Sequence, residues 1–448
     1  MSPTLSIAPA DSIRFSATHS PPGSKSISNR ALLCAALGRG ESSLTGLLDC
    51  EDTRVMATAL SALGVSLEVD WAGGSARLTG SAGTFSNKAA QLDCRNSGTT
   101  LRFLAACLAA TGGDYLLDGN PRMRQRPAED LLLALNQLGS NARSLNSNGC
   151  PPIEIKSSGW PGGSVSVRGD KSSQFLSGLL LAAPLARSPV TIEVAGLLVS
   201  QPYVDLTLGV MQEFGVEVQR PAESRFEVAP QPYLATDFAI EPDASSASYF
   251  FAAAAICQGT TQILGLGTNS LQGDLRFVEL LKAMGCDVQM TSGETKVTGS
   301  ELHGIDCTMT EISDTVQTLA AVALFARGPT RIRGVAHIRH KESDRISDLA
   351  RELRRAGATV EEQPDGLVIR PTELHPTEFQ TYDDHRMAMS LALVGLRENG
   401  ITVADPNCVT KTYPNYFRDL QRVTGCRISQ QRLRYNPKFT FRPRDNGD

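Results

Sequence analysis

Six glycines, Gly64, Gly139, Gly215, Gly285, Gly357 and Gly425, each stand where an amphipathic helical run gives way to a strand-like one, at spacings of 75, 76, 70, 72 and 68 residues. A glycine just past a helix end suits the left-handed conformation, which strains a residue bearing a side chain. The segments that follow alternate as strands do, for example Val65-Ser66-Leu67-Glu68-Val69, or Thr359-Val360-Glu361 leading to Leu367-Val368-Ile369. Each unit is about 70 residues of mixed strand and helix, too long for a solenoid repeat and too short for a stable domain alone. Three units per domain and two domains is the economical grouping. The boundary is expected after the third unit, near Tyr233 to Pro242, and the polar tail beyond Gln430 is expected to be loosely held.

Charge sets limits on partners. The 448 residues carry 43 basic and 47 acidic side chains, a formal net charge of -4, so no global field draws nucleic acid or an acidic membrane. Any anion site must be local. No apolar stretch approaches the roughly 18 residues that span a bilayer, and Met1-Ser2-Pro3-Thr4 does not read as the start of a signal peptide. The ten cysteines are scattered with no Cys-x-x-Cys pair and read as reduced thiols packed as small hydrophobes. A cytoplasmic protein is expected.

Chemistry is suggested by clusters of hydroxyl and basic residues placed just before apolar runs. Pro22-Gly23-Ser24-Lys25-Ser26-Ile27-Ser28-Asn29-Arg30 resembles a phosphate loop, but a Walker loop needs glycines where Ser24 and His19 stand, so a nucleotide loop is rejected. What remains is a turn and a helix start whose free N–H groups attract anions, with Lys25, Ser26 and Arg30 adding donors. Asn96-Ser97-Gly98-Thr99-Thr100-Leu101-Arg102 has the same design, and Gly98 allows an anion close to the backbone. Arg122, Arg124 and Arg126 gather guanidinium forks suited to carboxylate and phosphate. Lys171-Ser172-Ser173-Gln174 repeats the hydroxyl cluster, and Asp383-Asp384-His385-Arg386 opens another apolar helix. Lys341 and Arg345, at i and i+4, are expected on one helical face. Lys411-Thr412-Tyr413-Pro414 is expected after the final strand. A metal at Asp384-His385 is disfavoured because no second ligand cluster stands at the required spacing.

Taken in order, these segments resemble the 5-enolpyruvylshikimate-3-phosphate synthase family from about Pro21 to Phe417. The resemblance implies an α/β (α+β) fold of two similar domains, each of three βαβαββ units, the inside-out α/β barrel of enolpyruvyl transferases. It places residues 1–21 and 240–448 in one discontinuous domain and 22–239 in the other, with the site in the cleft between them. It further implies transfer of the enolpyruvyl group of phosphoenolpyruvate to the 5-hydroxyl of shikimate 3-phosphate, in chorismate and aromatic amino acid biosynthesis, at a site where the inhibitor glyphosate competes. Carried over, Lys25, Gly98, Arg126, Gln174, Arg345, Arg386 and Lys411 would surround phosphoenolpyruvate. Lys25, Ser26, Arg30, Ser172, Ser173, Gln174, Ser200, Tyr203, Asp314, His337 and Lys341 would hold shikimate 3-phosphate. Asp314 is the candidate base, and Glu342, with Lys25 as rival, the candidate proton carrier. No cofactor or metal is implied, the partners are the two small substrates, and a monomer is expected. His337 departs from the asparagine of many relatives, and Lys171 is a cation whose role does not follow from the pattern. The sister family acting on a UDP-sugar carries Lys-Asn where this chain has Lys25-Ser26. A non-catalytic anion-binding relative would be expected to lose Lys25, Asp314 or Glu342, and all three are present.

Overall fold

Helices begin where small polar residues precede apolar runs, because the side chain of the preceding residue satisfies an N–H that the helix leaves free. In the computed structural model, which describes residues 3–431, Ser24, Ser97 and Ser172 accept from the backbone N–H of Ile27, Thr100 and Gln174 at 3.4, 3.4 and 3.3 Å. Asp243 and Asp384 do the same for Ser246 and Arg386 at 2.7 and 3.0 Å. These residues start the helices Lys25–Leu37, Gly98–Thr111, Ser173–Ala182, Ala244–Cys257 and His385–Ala392, and a sixth, Val316–Ala323, is led in by the turn Ser313–Thr315. They are apolar nearly all round, and a helix of that kind must be enclosed. Every residue of Ala244–Cys257 is buried.

The described strands form six four-stranded sheets. Each has the same build: one parallel pair joined to two further antiparallel strands. In one, Ala89–Asp93 runs parallel to Gly113–Asp118, which is antiparallel to Ile153–Ser157, itself antiparallel to Asn141–Ser144. The six glycines that set the repeat all have positive φ, from 71° at Gly425 to 116° at Gly285.

Two strands are exchanged between units. Ser16–His19 runs parallel to Thr260–Leu264, and Asp237–Ala239 runs parallel to Glu41–Thr45. Thr4–Ala8 completes the sheet of Ile401–Ala404 and Arg427–Gln431. The chain therefore passes twice between two hydrophobic cores, one built from residues between Ile27 and Ile240, the other from Ile7 with residues between Ala244 and Cys426. The two passages lie side by side. Ser24 N–H donates to the Glu241 carbonyl and Asp243 N–H to that of Pro22, each at 2.9 Å, and Lys25 N–H donates to Asp243 Oδ2 at 3.1 Å.

Two local expectations fail. Lys341 and Arg345 are not on a helix: a 3-10 turn ends at His340, and the next helix is Ser347–Arg355. Asp344 explains the break, since its Oδ1 accepts from the N–H groups of Ile346 and Ser347 at 3.2 and 3.1 Å and starts a new helix instead of continuing one. Lys411 ends a turn after Ile401–Ala404, and one more strand, Arg427–Gln431, follows it. All ten cysteines are unpaired and buried. The tail beyond Gln431 lies outside the described residues.

Candidate active site

The N-terminal ends of the enclosed helices meet at one polar cavity. Lys25, Gly98 with Thr99, Gln174, Asp314 and His385 with Arg386 reach it from five of the helix starts, and Asp52, Arg126, Lys341, Glu342 and Arg345 complete its wall. Helix N-termini carry partial positive charge and free N–H groups. Five basic side chains (Lys25, Arg126, Lys341, Arg345, Arg386) face three carboxylates (Asp52, Asp314, Glu342). Such a chamber is matched to a ligand bearing more than one negative charge.

The cations are held in place by carboxylates and carbonyls. Arg345, 1% exposed, lies among three acids: its Nε is 2.7 Å from Asp384 Oδ2, Nη1 3.1 Å from Asp314 Oδ1 and Nη2 2.9 Å from Glu342 Oε2. Arg386 Nη2 donates to Asp314 Oδ2 at 2.7 Å, and Lys341 Nζ stands 3.8 Å from Asp314 Oδ1. Lys411 Nζ donates to the Asn96 carbonyl at 3.0 Å and lies 3.3 Å from Glu342 Oε1. Arg126 Nη1 also reaches the Asn96 carbonyl, at 3.0 Å. Lys25 Nζ is 3.3 Å from Asp52 Oδ2. The two halves of the chain thus touch across the cavity, and Arg122 adds a bond of 2.6 Å from Nη2 to the Lys341 carbonyl.

These contacts set the protonation states. Burial pushes the Glu342 carboxyl up, but Lys411, Arg345 and Arg126 outweigh it and hold the group well below the usual carboxylate range. Asp314 is likewise raised by burial and held far down by Arg386, Lys341 and Arg345. Burial opposes the charge on Lys25, yet Asp52 and Glu342 leave its ammonium harder to deprotonate than usual. His385 is 1% exposed, and among the described residues neither ring nitrogen is hydrogen-bonded; burial, Arg386 and Lys25 keep it neutral.

The cavity brings together Lys25, Gly98, Arg126, Gln174, Arg345, Arg386 and, through Glu342, Lys411. Gln174 is fixed by Arg102 Nη1 at 2.5 Å and by Thr99 at 3.3 Å. Ser26 and Tyr203 line a smaller cavity with Ser245 and Asp274, and Tyr203 OH joins it to the main one through a contact of 3.2 Å with Asp314 Oδ2. Arg30 is committed largely to the protein: it donates to Thr207 Oγ1 at 2.8 Å and to the carbonyls of Ser26 and Tyr203 at 2.8 and 3.2 Å, over the Phe103 ring. Ser172 caps its helix, and Ser173 beside it is buried. Ser200, in a left-handed conformation with φ 55°, and Ser313 both contact His337 Nε2, at 3.4 and 2.9 Å. Burial and Lys341 lower His337 to about 4. Lys171 is explained: its Nζ is 3.3 Å from Asp130, outside the cavity wall.

Sequence reasoning missed Asp52, Asp274 and the part of His385. Asp52 reads as one more acid in the first turn of Glu51–Ala62, Asp274 sits in a short turn with no motif, and His385 draws attention only as a metal ligand.

The model of the EPSP synthase (3-phosphoshikimate 1-carboxyvinyltransferase) family matches residues 11–420. A 3-phosphoshikimate 1-carboxyvinyltransferase of Vibrio atlanticus is 45% identical over 407 residues, 90% of this chain and 96% of that protein. One of Nostoc punctiforme is 45% identical over 398 residues, 88% and 93% of the two chains. Among solved structures, EPSP synthase from Acinetobacter baumannii superposes with a TM-score of 0.80 at 26% identity, covering 96% of this chain and all of that one. The fold is also that of the enolpyruvyl transferase NikO from Streptomyces tendae, with a TM-score of 0.77 at 19% identity. On its sequence, its repeat and its cavity, this chain belongs to the EPSP synthase family.

Proposed function

We propose that the protein transfers the enolpyruvyl group of phosphoenolpyruvate to the 5-hydroxyl of shikimate 3-phosphate and releases phosphate, as a step of aromatic biosynthesis. The observation that carries the reading is the buried chamber where Lys25, Arg126, Lys341, Arg345 and Arg386 face Glu342 and Asp314. Each substrate bears a phosphate and a carboxylate, and dispersed cations on opposite walls suit a pair of such polyanions better than one.

Phosphoenolpyruvate would lie among Lys25, Gly98, Arg126, Gln174, Arg345, Arg386 and Lys411. Shikimate 3-phosphate would lie toward Ser26, Arg30, Ser172, Ser173, Ser200, Tyr203, His337 and Lys341. Attack at C2 requires a proton on the methylene carbon and a base for the attacking hydroxyl. Glu342 is ionised while Lys411, Arg345 and Arg126 are turned toward it. A bound phosphate or carboxylate would share those cations, raise the Glu342 pKa and let it pick up the proton it delivers. Lys25 is the poorer donor, since Asp52 and Glu342 strengthen its hold on its own proton. Asp314 takes the hydroxyl proton; in the elimination Glu342 takes back a proton from the new methyl group, the C–O bond to phosphate breaks, and the proton held by Asp314 leaves with the phosphate, whose charge Arg126 and Lys411 stabilise. His385, with two free ring nitrogens, is an added ligand contact.

Residues 1–21 with 240–448 form one domain in this reading and 22–239 the other, closing on shikimate 3-phosphate to exclude water. The Lys411 to Asn96 and Arg122 to Lys341 bonds favour it, because they join the two hydrophobic cores' segments directly over the cavity. Small-angle scattering that shows no contraction with that ligand would count against closure. The protein acts as a monomer, which sedimentation tests. Ten unpaired cysteines fit a reducing, cytoplasmic compartment, which cell fractionation tests; among the described residues no helix is long and apolar enough to cross a membrane. Purified protein with both substrates should release phosphate, and absence of release would overturn the assignment.

A further inference from the structure

The Tyr203 hydroxyl lies between two carboxylates, 2.9 Å from Asp274 Oδ2 and 3.2 Å from Asp314 Oδ2. It has one hydrogen and can donate to only one of them at a time. With both acids ionised, one contact would be a bare repulsion between oxygens in a buried site. The set closes if Asp274 carries a proton: Asp274 donates to the tyrosine oxygen, and Tyr203 donates to Asp314. Asp274 is 4% exposed, its Oδ1 has no hydrogen-bond partner among the described residues, and its Oδ2 takes one further bond, from the Ser245 hydroxyl.

The geometry is held from both sides. Tyr203 belongs to Gln201–Glu213, whose second residue, Pro202, packs against Gly273 so closely that a Cβ on that glycine would come within 2.2 Å of Pro202 Cβ. Asp274 follows at once in Gly273–Arg276. The groups facing Asp274 are Tyr203, Ser245, Asp314 and Arg386, whose Nη2 lies 2.7 Å from Asp314 Oδ2 and 3.5 Å from Ser245 Oγ.

We propose that Asp274 is a positioning residue for the base: through the Tyr203 hydroxyl, its protonation state sets how strongly Asp314 holds the proton it takes during transfer. This rests on Asp314 acting as the base. With Asp274 protonated, the tyrosine hydrogen is committed to Asp314 and stabilises its carboxylate, which makes it a weaker base. With Asp274 ionised, the hydrogen is divided and a second negative charge faces Asp314, which makes it a stronger one. No proton is consumed, since Asp314 returns its own on elimination. Burial, and then the charge of Asp314, push Asp274 up to about 6 despite Arg386, so the change falls in an accessible window.

The test compares wild type with Asp274→Asn, whose amide donates permanently to Tyr203 and mimics the protonated acid. The ratio of their kcat values, measured at saturating phosphoenolpyruvate and shikimate 3-phosphate from pH 5 to 8, cancels the titration of the substrates' own phosphates. We expect the ratio to rise from within about twofold of one at pH 5 to about tenfold above pH 7, a fraction of what a general base contributes, with both KM values little changed. In a Tyr203→Phe background the same replacement should change kcat by a clearly smaller factor, because the hydroxyl link is gone and only the through-space charge of Asp274 remains. A flat ratio, whether near one or uniformly raised, or an equal effect in both backgrounds, overturns the proposal. If Asp274→Asn does not fold, the wild-type to Tyr203→Phe ratio must still change through the same window, and a flat one overturns it. A wild type with no transfer activity overturns the parent reading and this one with it; an active wild type with a flat ratio overturns this one alone.

Discussion

Replacing Gly98 by alanine separates ligand binding from folding. Gly98 is the first residue of Gly98–Thr111, and its φ is not positive, so alanine meets no backbone strain. A helix favours alanine over glycine by up to about 1 kcal/mol. The added Cβ would, however, lie 2.7 Å from Arg102 Nη1 and from Arg126 Nη2, and 3.0 Å from Arg126 Cζ. Ordinary contact begins at 3.4 Å, so both guanidinium groups must retreat. Arg126 is anchored by Asn96 and Arg102 by Gln174, and neither can swing far without breaking those bonds. A charged hydrogen bond is worth about 1.5–3 kcal/mol; losing half of one from Arg126 to the substrate phosphate raises KM for phosphoenolpyruvate about three- to twelvefold at about 1.4 kcal/mol per decade. Steady-state kinetics with each substrate varied, alongside a thermal melt, provide the assay. The expected result is a raised KM for phosphoenolpyruvate, a KM for shikimate 3-phosphate within about twofold, and an unchanged or higher Tm. An unchanged KM for phosphoenolpyruvate, or a Tm lower by several degrees, would refute the reasoning.

Removing the Arg126 guanidinium outright, by Arg126→Ala, should cost about 10- to 100-fold in kcat/KM for phosphoenolpyruvate, read from the same assay. Glu342→Gln keeps shape but cannot carry the proton, and kcat should fall at least about 100-fold, with deuterium from solvent no longer entering the methylene carbon. His337 is lowered to about 4 from 6.5, mainly by burial, so the unfolded chain binds a proton that the folded one refuses as pH falls from 6.5 toward 4. Stability is therefore lost on acidification through that window, by at most about 3 kcal/mol; urea midpoints at pH 7 and pH 5 should differ less in His337→Asn than in wild type.

The six glycines, the serine caps and the apolar helices were legible because each depends on residues close in sequence. A left-handed residue after a helix favours glycine whatever surrounds it, and all six have positive φ. Lys341 and Arg345 show the limit of spacing arguments: they do converge on Asp314, but through a turn held by Asp344 and not through a helical face.

Alone, the sequence determined the unit, its sixfold repetition, the anion-seeking helix starts and, by resemblance, the reaction class. Tertiary structure decided the rest. The exchange of Ser16–His19 and Asp237–Ala239 between units depends on strand pairings across more than 190 residues, which no local pattern records. The protonation of Glu342, Asp314, Lys25 and Asp274 depends on which charges stand within a few ångströms in a buried space, because Coulomb interactions there act through distance and dielectric and not through position along the chain.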